Sequence, residues 1–561
     1  MFDHASSAAT PTTCCRSSVV TSLLLTVRKT ATLSSRLHPL PVMTSLHLLP
    51  TELALKILEN LDFRSLVVLK LTCNRLKTLI EDSVDPKYKV ELAAAGLRDC
   101  PDELLSTVDR LDMLQRYQQA WRDLAGQELF DVPPPEGLSD LNSEFVFSGG
   151  ILAQIYPQST GTGTMICLTR LPSKRRRVDY RRWYLSFDQL RLNNPRADVT
   201  IDVSQDLLLF VASLNNRFPI IHVCSLSTGL PHPLGPASGV IHIQHGHLSP
   251  TTGTMEICGE YGAMVISSDG TGVNVKNVCI WNWRTGAIQT ELVLSQSHMS
   301  LLSRISFCFL DDSHILTQSF PLRPPSRPLL QVYNFRTQCL LEFALPDNFP
   351  SRITRASFLH KSVHQSSTTI PGQGLFITDL DDKLVILRLF LQSDERFELS
   401  TPPRRLVDIF CASDPAEAVI PWTKWGATGA HLIHRLAPPH FLGRPTYFSV
   451  FGMRTVHIES HNGNRTFVVT DYHPRRVKRT LAQGVGRDNG KVQGWAEGSE
   501  VGGGYGPGLP TIVKKVTIPD ERLEGLLLRL DKYYLHEDGL LVQIHERVGN
   551  VWTTKQRCIP F

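Results

Sequence analysis

The amino-acid sequence predicts an α+β multidomain protein, with a small helical N-terminal unit followed by a mostly-β region. Three observations predict it. The chain has 561 residues, too many for one ordinary domain. Residues 44–126 carry apolar residues at helical spacing. From about Glu144 to about Tyr472 the pattern changes to short β-like runs with turn residues between them. A hydrophobic content of 42% with 20% charged residues is that of a globular protein.

Boundaries follow from shifts in composition. Residues 1–43 are rich in Ser and Thr, hold one acid, Asp3, and read as a disordered extension. Arg16, Arg28, Lys29 and Arg36 give this segment a mild likeness to a mitochondrial transit peptide. Met43 stands just before the first structured segment and could itself be the start. Residues 44–83 hold three short helical stripes, and residues 84–135 read as a helical linker ending at Pro133-Pro134-Pro135. Residues 144–472 form the β-rich domain. Residues 473–508 are polar and end in Gly502-Gly503-Gly504-Tyr505-Gly506-Pro507-Gly508, which reads as a flexible loop. Residues 509–561 recover strand and helix patterning and complete or flank the β domain.

The first helix is expected to start at Leu49-Pro50-Thr51-Glu52. Proline suits a first turn, where its missing N–H has no intrahelical partner to lose, and Glu52 suits the dipole. Leu53, Ile57, Leu58 and Leu61 make one stripe, and Asp62 closes the segment. Leu66, Leu69 and Leu71 make a second stripe, and Leu76, Leu79 and Ile80 a third. Three short helices cannot bury all of these side chains among themselves, so part of the surface needs a partner or a neighbouring domain. Farther on, Val108 to Leu124 is predicted helical, with Ser106 and Asp109 as a capping box. Leu111, Leu114, Tyr117, Trp121 and Leu124 fall on one face of it.

The segment from Leu48 to Asp62 resembles the first half of an F-box, through Leu-Pro-x-Glu-Leu and then Ile-Leu-x-x-Leu-Asp at the right offset. Leu66, Leu69, Cys73-Asn74-Arg75 and Leu76 continue the pattern, with Leu76 where the family usually has an aromatic. Tyr88 to Leu97 and Asp109 to Trp121 are similar to the linker of F-box proteins from mushroom-forming fungi. The resemblance is specific only up to about Leu124. It implies a three-helix motif that docks on a Skp-type adaptor and through it on a cullin scaffold, with Leu49, Pro50, Leu53, Ile57, Leu58, Leu61 and Leu66 supplying the apolar contact. It also implies that the downstream domain holds a protein substrate for ubiquitin transfer. The alternative is that the stripe is only the core of a helical domain.

In the β-rich region three windows look alike. Ile221 to Gly229, Val278 to Gly286 and Leu330 to Gln338 each end a strand in a Thr-containing turn. Thr228, Thr285 and Thr337 recur at intervals of 57 and 52 residues. A hairpin-like run precedes each: Asp198 to Ala212, Met255 to Ser267 and Ile305 to Gln318. This is the rhythm of degenerate β-propeller blades, whose third strand turns into the fourth at such a position. The Gly-His and Trp-Asp signatures are missing, and only three of the six or seven repeats needed to close a ring are visible. A sandwich or an irregular all-β domain is the alternative.

Few groupings suggest chemistry. The 12 cysteines have no CxxC pair, and Cys167, Cys279 and Cys308 sit among apolar neighbours as small buried hydrophobes in a reduced compartment. His242, His245 and His247 cluster, but Ile241 and Ile243 alternate with His242 as on a half-exposed strand and no carboxylate follows closely, which disfavours a metal. Gly161-Thr162-Gly163 lacks phosphate-loop context, and there is no GxSxG. Asp311-Asp312 and Asp381-Asp382 fit hairpin turns better than catalytic pairs. Lys174-Arg175-Arg176-Arg177 with Arg181-Arg182, and Arg475-Arg476-Val477-Lys478-Arg479, read as nuclear import signals, patches for an acidic partner or solvated loops. A net charge of +5 is too mild to argue for nucleic acid, and no run approaches a transmembrane length. The expectation is a non-catalytic, cofactor-free substrate-recruiting adaptor of the cytoplasm or nucleus. The alternatives are a ligase-independent propeller scaffold with a vestigial F-box and an enzyme hidden in the β domain.

Overall fold

The computed structural model describes residues 48–100, 105–123, 130–133, 144–157, 164–173, 176–187, 199–214, 218–243, 247–248, 255–268, 275–295, 307–319, 329–347, 349, 353–358, 374–379, 383–391, 396–414, 417, 419–435, 448–461, 464–482, 492–493, 511–518, 529–536, 539–548 and 551–560. They fall into two compact units that divide between Ser83 and Val84. The first holds three helices: α1 Thr51–Glu59, α2 Phe63–Lys70 and α3 Asn74–Asp82. Pro50 opens α1, with Glu52 in its first turn.

The second unit is a β-propeller of seven blades. Blade 1 has strands Glu144–Ser148, Ile151–Pro157, Thr164–Arg170 and Arg181–Phe187, paired antiparallel in chain order. The later sheets repeat this meander. Blade 2 runs from Val199 to His242, blade 3 from His247 to Ser295, blade 4 from Cys308 to Ala344, blade 5 from Ile353 to Arg435 and blade 6 from Phe448 to Ile518. Blade 7 takes three strands from the C-terminus, Arg529–His536, Gly539–Val548 and Val551–Pro560. Its fourth strand comes from far upstream: Phe130, Asp131 and Val132 pair with Cys558, Arg557 and Gln556. One sheet built from both ends of the unit is the clasp that closes the ring.

The core confirms closure, because a separate apolar layer fills each of the seven junctions. Ile166, Leu168, Leu208 and Leu226 join blades 1 and 2. Val223, Met264 and Trp281 join 2 and 3, and Ile280, Phe309 and Phe335 join 3 and 4. Phe343, Leu387 and Trp425 join 4 and 5, and Ile386, Met453 and Tyr472 join 5 and 6. Val456, Phe467, Leu535 and Leu540 join 6 and 7, and Leu152, Leu171, Leu541 and Cys558 join 7 back to 1. Alternate residues of each strand face opposite sides, so every blade feeds two such layers.

The three repeated windows are the third-to-fourth-strand turns of blades 2, 3 and 4. The residue after each threonine is left-handed: Gly229 at φ 74°, Gly286 at 76° and Gln338 at 60°. Asn282 Oδ1 accepts from the backbone N–H of Arg284 (2.9 Å) and Thr285 (3.1 Å). Asn334 does the same for Arg336 and Thr337, both at 3.0 Å. The apolar residue that follows each third strand, Leu226, Trp283 or Phe335, donates its N–H to the turn joining the first two strands of its own blade, at Asp206, Glu260 or Ser313. The two turns at that end of each blade are thereby stapled together.

Residues 84–135, read above as a linker, belong to this unit. Helices α4 Val84–Ala94 and α5 Thr107–Asp123 pack Tyr88, Leu92, Leu111, Leu114, Tyr117 and Trp121 against Phe376, Val456, Phe467 and Leu535. Leu97–Asp99 pairs antiparallel with Phe376–Thr378, an excursion of blade 5. Ser106 caps α5 as expected, taking the Asp109 N–H at 3.2 Å; Leu124 lies outside the described residues.

Blade 5 carries two further helices, α6 Pro403–Ala412 and α7 Trp422–Gly429, between its last two strands. Part of the stretch read as a loop from 473 is also helical: α8 spans Pro474–Ala482. Its arginines are spent within the fold. Arg475 donates to Ala93 O (2.8 Å) and Arg476 to Ala95 O (2.6 Å), at the C-terminal end of α4, and Arg479 pairs with Glu91. Cationic groups are favoured at a helix C-terminus, where carbonyls lack intrahelical partners. This basic run is therefore a clamp rather than a solvated loop. The Gly-rich piece 502–508 lies outside the described residues.

Candidate functional site

The helical unit is built on a small interior of Ala54, Leu58, Leu66, Leu76 and Ile80. Asp62 begins α2 by accepting the Ser65 N–H at 2.7 Å, and those Ser65 hydrogen bonds hold its carboxyl below the ordinary value. Lys70 pairs with Glu81 at 2.7 Å, tying α2 to α3. Arg75 donates to the Leu49 carbonyl at 2.7 Å, tying α3 to the segment before α1. Arg75 of the Cys73-Asn74-Arg75 cluster thus helps fix where the first helix enters.

This frame splits the seven residues implied to meet an adaptor. Leu58 and Leu66 are fully buried and form the interior of the unit. Leu49 and Leu61 are half-buried, and Pro50 is exposed. Leu53 is 50% exposed and Ile57 39%. Leu53 and Ile57 stand one helical turn apart, so they share a face. Three exposed residues were not in the set: Leu48, Val68 and, at 82%, Leu71. Leu71 stood in the second stripe, but nothing in its spacing told an outward leucine from an inward one. Five exposed large apolar residues on so small a unit make a surface suited to a partner.

The propeller shows no comparable chemistry among its described residues. One grouping there was missed by the sequence reading. Asp311 Oδ1 lies 2.9 Å from His314 Nδ1, and Ser313 Oγ lies 3.1 Å from the same nitrogen. A Ser-His-Asp relay needs serine and aspartate on opposite ring nitrogens. Here Nε2 instead accepts from Asn334 Nδ2 at 3.0 Å, which leaves the proton on Nδ1 for Asp311. Asp311 also takes the N–H groups of Ser313 and His314, so the cluster is a turn staple. Buried thiols are equally inert, since burial pushes Cys224 up to about 11 and Cys258 and Cys279 up to about 12. No group of three His, Cys, Asp or Glu that could hold a metal occurs among the described residues; His242 is exposed, and His245, like Asp381, Asp382 and Gly161 to Gly163, lies outside them. No described helix is long and apolar enough to cross a membrane.

One family match falls on the helical unit and the first residues after it. Residues 46–87 match the family model of the F-box domain, and the chain carries that domain there. No curated protein matches the chain. Among solved structures, an uncharacterized protein, lmo1340, from Listeria monocytogenes aligns at 11% identity and TM-score 0.37, over 74% of this chain and 92% of that one. The β-propeller domain of the Trilobed protease from Pyrococcus furiosus aligns at 9% identity and TM-score 0.37, over 74% and 95%. BamB from Moraxella catarrhalis aligns at 10% identity and TM-score 0.30, over 77% and 100%. The strand order and the seven filled junctions define the propeller.

Proposed function

We propose that this protein is the substrate-recruiting subunit of a Skp-cullin-F-box ubiquitin ligase. The observation that carries the reading is the pair Leu53 and Ile57, exposed on one face of α1 inside the F-box match. Leu48, Val68 and Leu71 are further exposed apolar residues for a Skp-type adaptor to cover, together with Pro50 and the half-buried Leu49 and Leu61. Leu58 and Leu66 act from beneath by holding the helices in place. The propeller would hold the protein substrate, its seven-bladed frame presenting loops from rigid strands. No nucleophile and base are needed in this chain. Holding a substrate beside a ubiquitin-charged conjugating enzyme replaces a bimolecular encounter with an effectively intramolecular one.

Affinity purification with mass spectrometry tests the role. The tagged chain should recover a Skp-type adaptor and a cullin, and Leu53→Asp with Ile57→Asp should lose both while keeping propeller-bound proteins. Recovery of the adaptor without a cullin, or unchanged lifetimes of the bound proteins when the chain is deleted, would support a ligase-independent scaffold instead.

A further inference from the structure

We propose that the edge strand Arg181–Phe187 of blade 1 is a docking edge for an extended acidic peptide of a partner protein, which adds as a further strand and sets carboxylates on Arg170 and Arg181. Three observations on the propeller carry this.

The first is a pair of like charges. Arg170 ends the third strand and Arg181 begins the fourth, and they are direct cross-strand partners. Like charges placed opposite each other on a sheet are unfavourable. Neither guanidinium has a hydrogen-bond or ion-pair partner among the described residues. Burial first, and then the charge of Arg181, lower Arg170 from its ordinary value. Asp179, the nearest acid in sequence, is exposed and pairs with neither. A carboxylate between the two would relieve the repulsion and take up donors that are already placed.

The second is that the pair is held in position. Arg181 lies over the Trp183 ring at 5.3 Å, and Trp183 Nε1 donates to Leu226 O of blade 2 at 3.0 Å. Arg182 points to the other face and is occupied there: it donates to Thr169 Oγ1 at 3.2 Å and to the Pro133 carbonyl. The strand therefore separates one structural arginine from one that stays available. Tyr180 and Tyr184 stand exposed beside it.

The third is the free edge itself. The Arg181–Phe187 strand is the last in its sheet, so its outer backbone groups have no partner strand among the described residues. The chain already adds strands at two equivalent edges: Val419–Ile420 pairs parallel with the outer strand of blade 4, and Val492–Gln493 pairs antiparallel with that of blade 6. An alternating row of N–H and C=O groups matches another peptide strand and not a sugar-phosphate backbone, and two arginines with no acidic partner among the described residues select for acidic side chains.

The test uses the full chain and a fluorescein-labelled peptide of alternating Glu and Val, ten residues long. Fluorescence anisotropy should show saturable binding, and hydrogen exchange should show new protection of the amides of residues 181–187. Arg170→Gln with Arg181→Gln should weaken binding at least about tenfold, while Arg170→Lys with Arg181→Lys should retain most of it. Equal binding by the Gln double variant overturns the proposal. So does equal binding of a Gln-Val peptide, binding only when phosphoserine replaces Glu, or protection confined to other strands. If the Gln variant fails to fold, the wild-type protection map and the Lys variant decide.

Discussion

Asp471 shows how single residues hold the propeller to its helices. It accepts from Arg476 at 2.7 and 2.9 Å and from Arg454 at 3.2 Å, and Arg454 stacks on Trp121 of α5 at 4.1 Å. Burial alone would raise its carboxyl, but Arg476 and Arg454 hold it well below the ordinary carboxylate range. A pKa lower in the folded state means the group stabilises the fold above its unfolded value, roughly pH 4, and loses that contribution as pH falls. Thermal melts should therefore decline more steeply below about pH 4 in wild type than in Asp471→Asn. At pH 7 the variant should lose about 3–5 kcal/mol, since it leaves two guanidinium groups buried around a neutral side chain. Gly262 is a second such position. A Cβ there would meet the Trp281 ring at 2.6 Å, so Gly262→Ala should cost about 1–3 kcal/mol in denaturant unfolding. The sequence made the apolar stripes legible, but not which side chains point inward. Leu58 and Leu66 went to the core while Leu53 and Ile57 stayed outside, because the distinction is made by how α1, α2 and α3 cross.

Elements were legible where one local rule decides them. Pro50 and the leucine spacing place α1, and Ser106 with Asp109 places α5. Asp62 was read as the end of the first helix; it is also the cap of the second, a role its spacing to Ser65 encodes. Asp62→Ala should lower the stability of the helical unit by about 1 kcal/mol, read by chemical denaturation followed by far-ultraviolet circular dichroism. Three of seven blades were visible for a physical reason. Blades 3 and 4 join their last two strands by a short turn that needs a left-handed residue, and blade 2 opens its connection, residues 226–239, with the same turn, so each leaves a Thr-Gly or Thr-Gln trace. Blade 1 makes this connection through a longer hairpin around Ser173 and Val178, blade 5 through α6 and α7, and blade 6 through α8. Blade 7 has no such connection, because its fourth strand arrives from residues 130–132. The basic run of α8 misled for the opposite reason: its charge is local, but its partners at Glu91, Ala93 and Ala95 lie almost four hundred residues away.

At the scale of the molecule, a ring closed by a strand from each end ties stability to its clasp. Val132 is buried in the layer between blades 7 and 1, so Val132→Asp should open that junction. Hydrogen exchange would then rise in residues 551–560 before it rises in blades 2 to 4; uniform exchange across all blades would contradict a local clasp. The F-box and the propeller have separable tasks in this account, with adaptor binding on one unit and partner selection on the other. A calorimetric titration of a purified Skp-type adaptor into the full chain tests the central claim most directly. The account predicts saturable one-to-one binding by wild type. It predicts at least about a hundredfold loss in Leu53→Asp with Ile57→Asp, since two charges would be buried in an apolar contact, with the propeller's melting temperature unchanged. Absence of binding by the wild-type chain, or equal binding by the double variant, would contradict it.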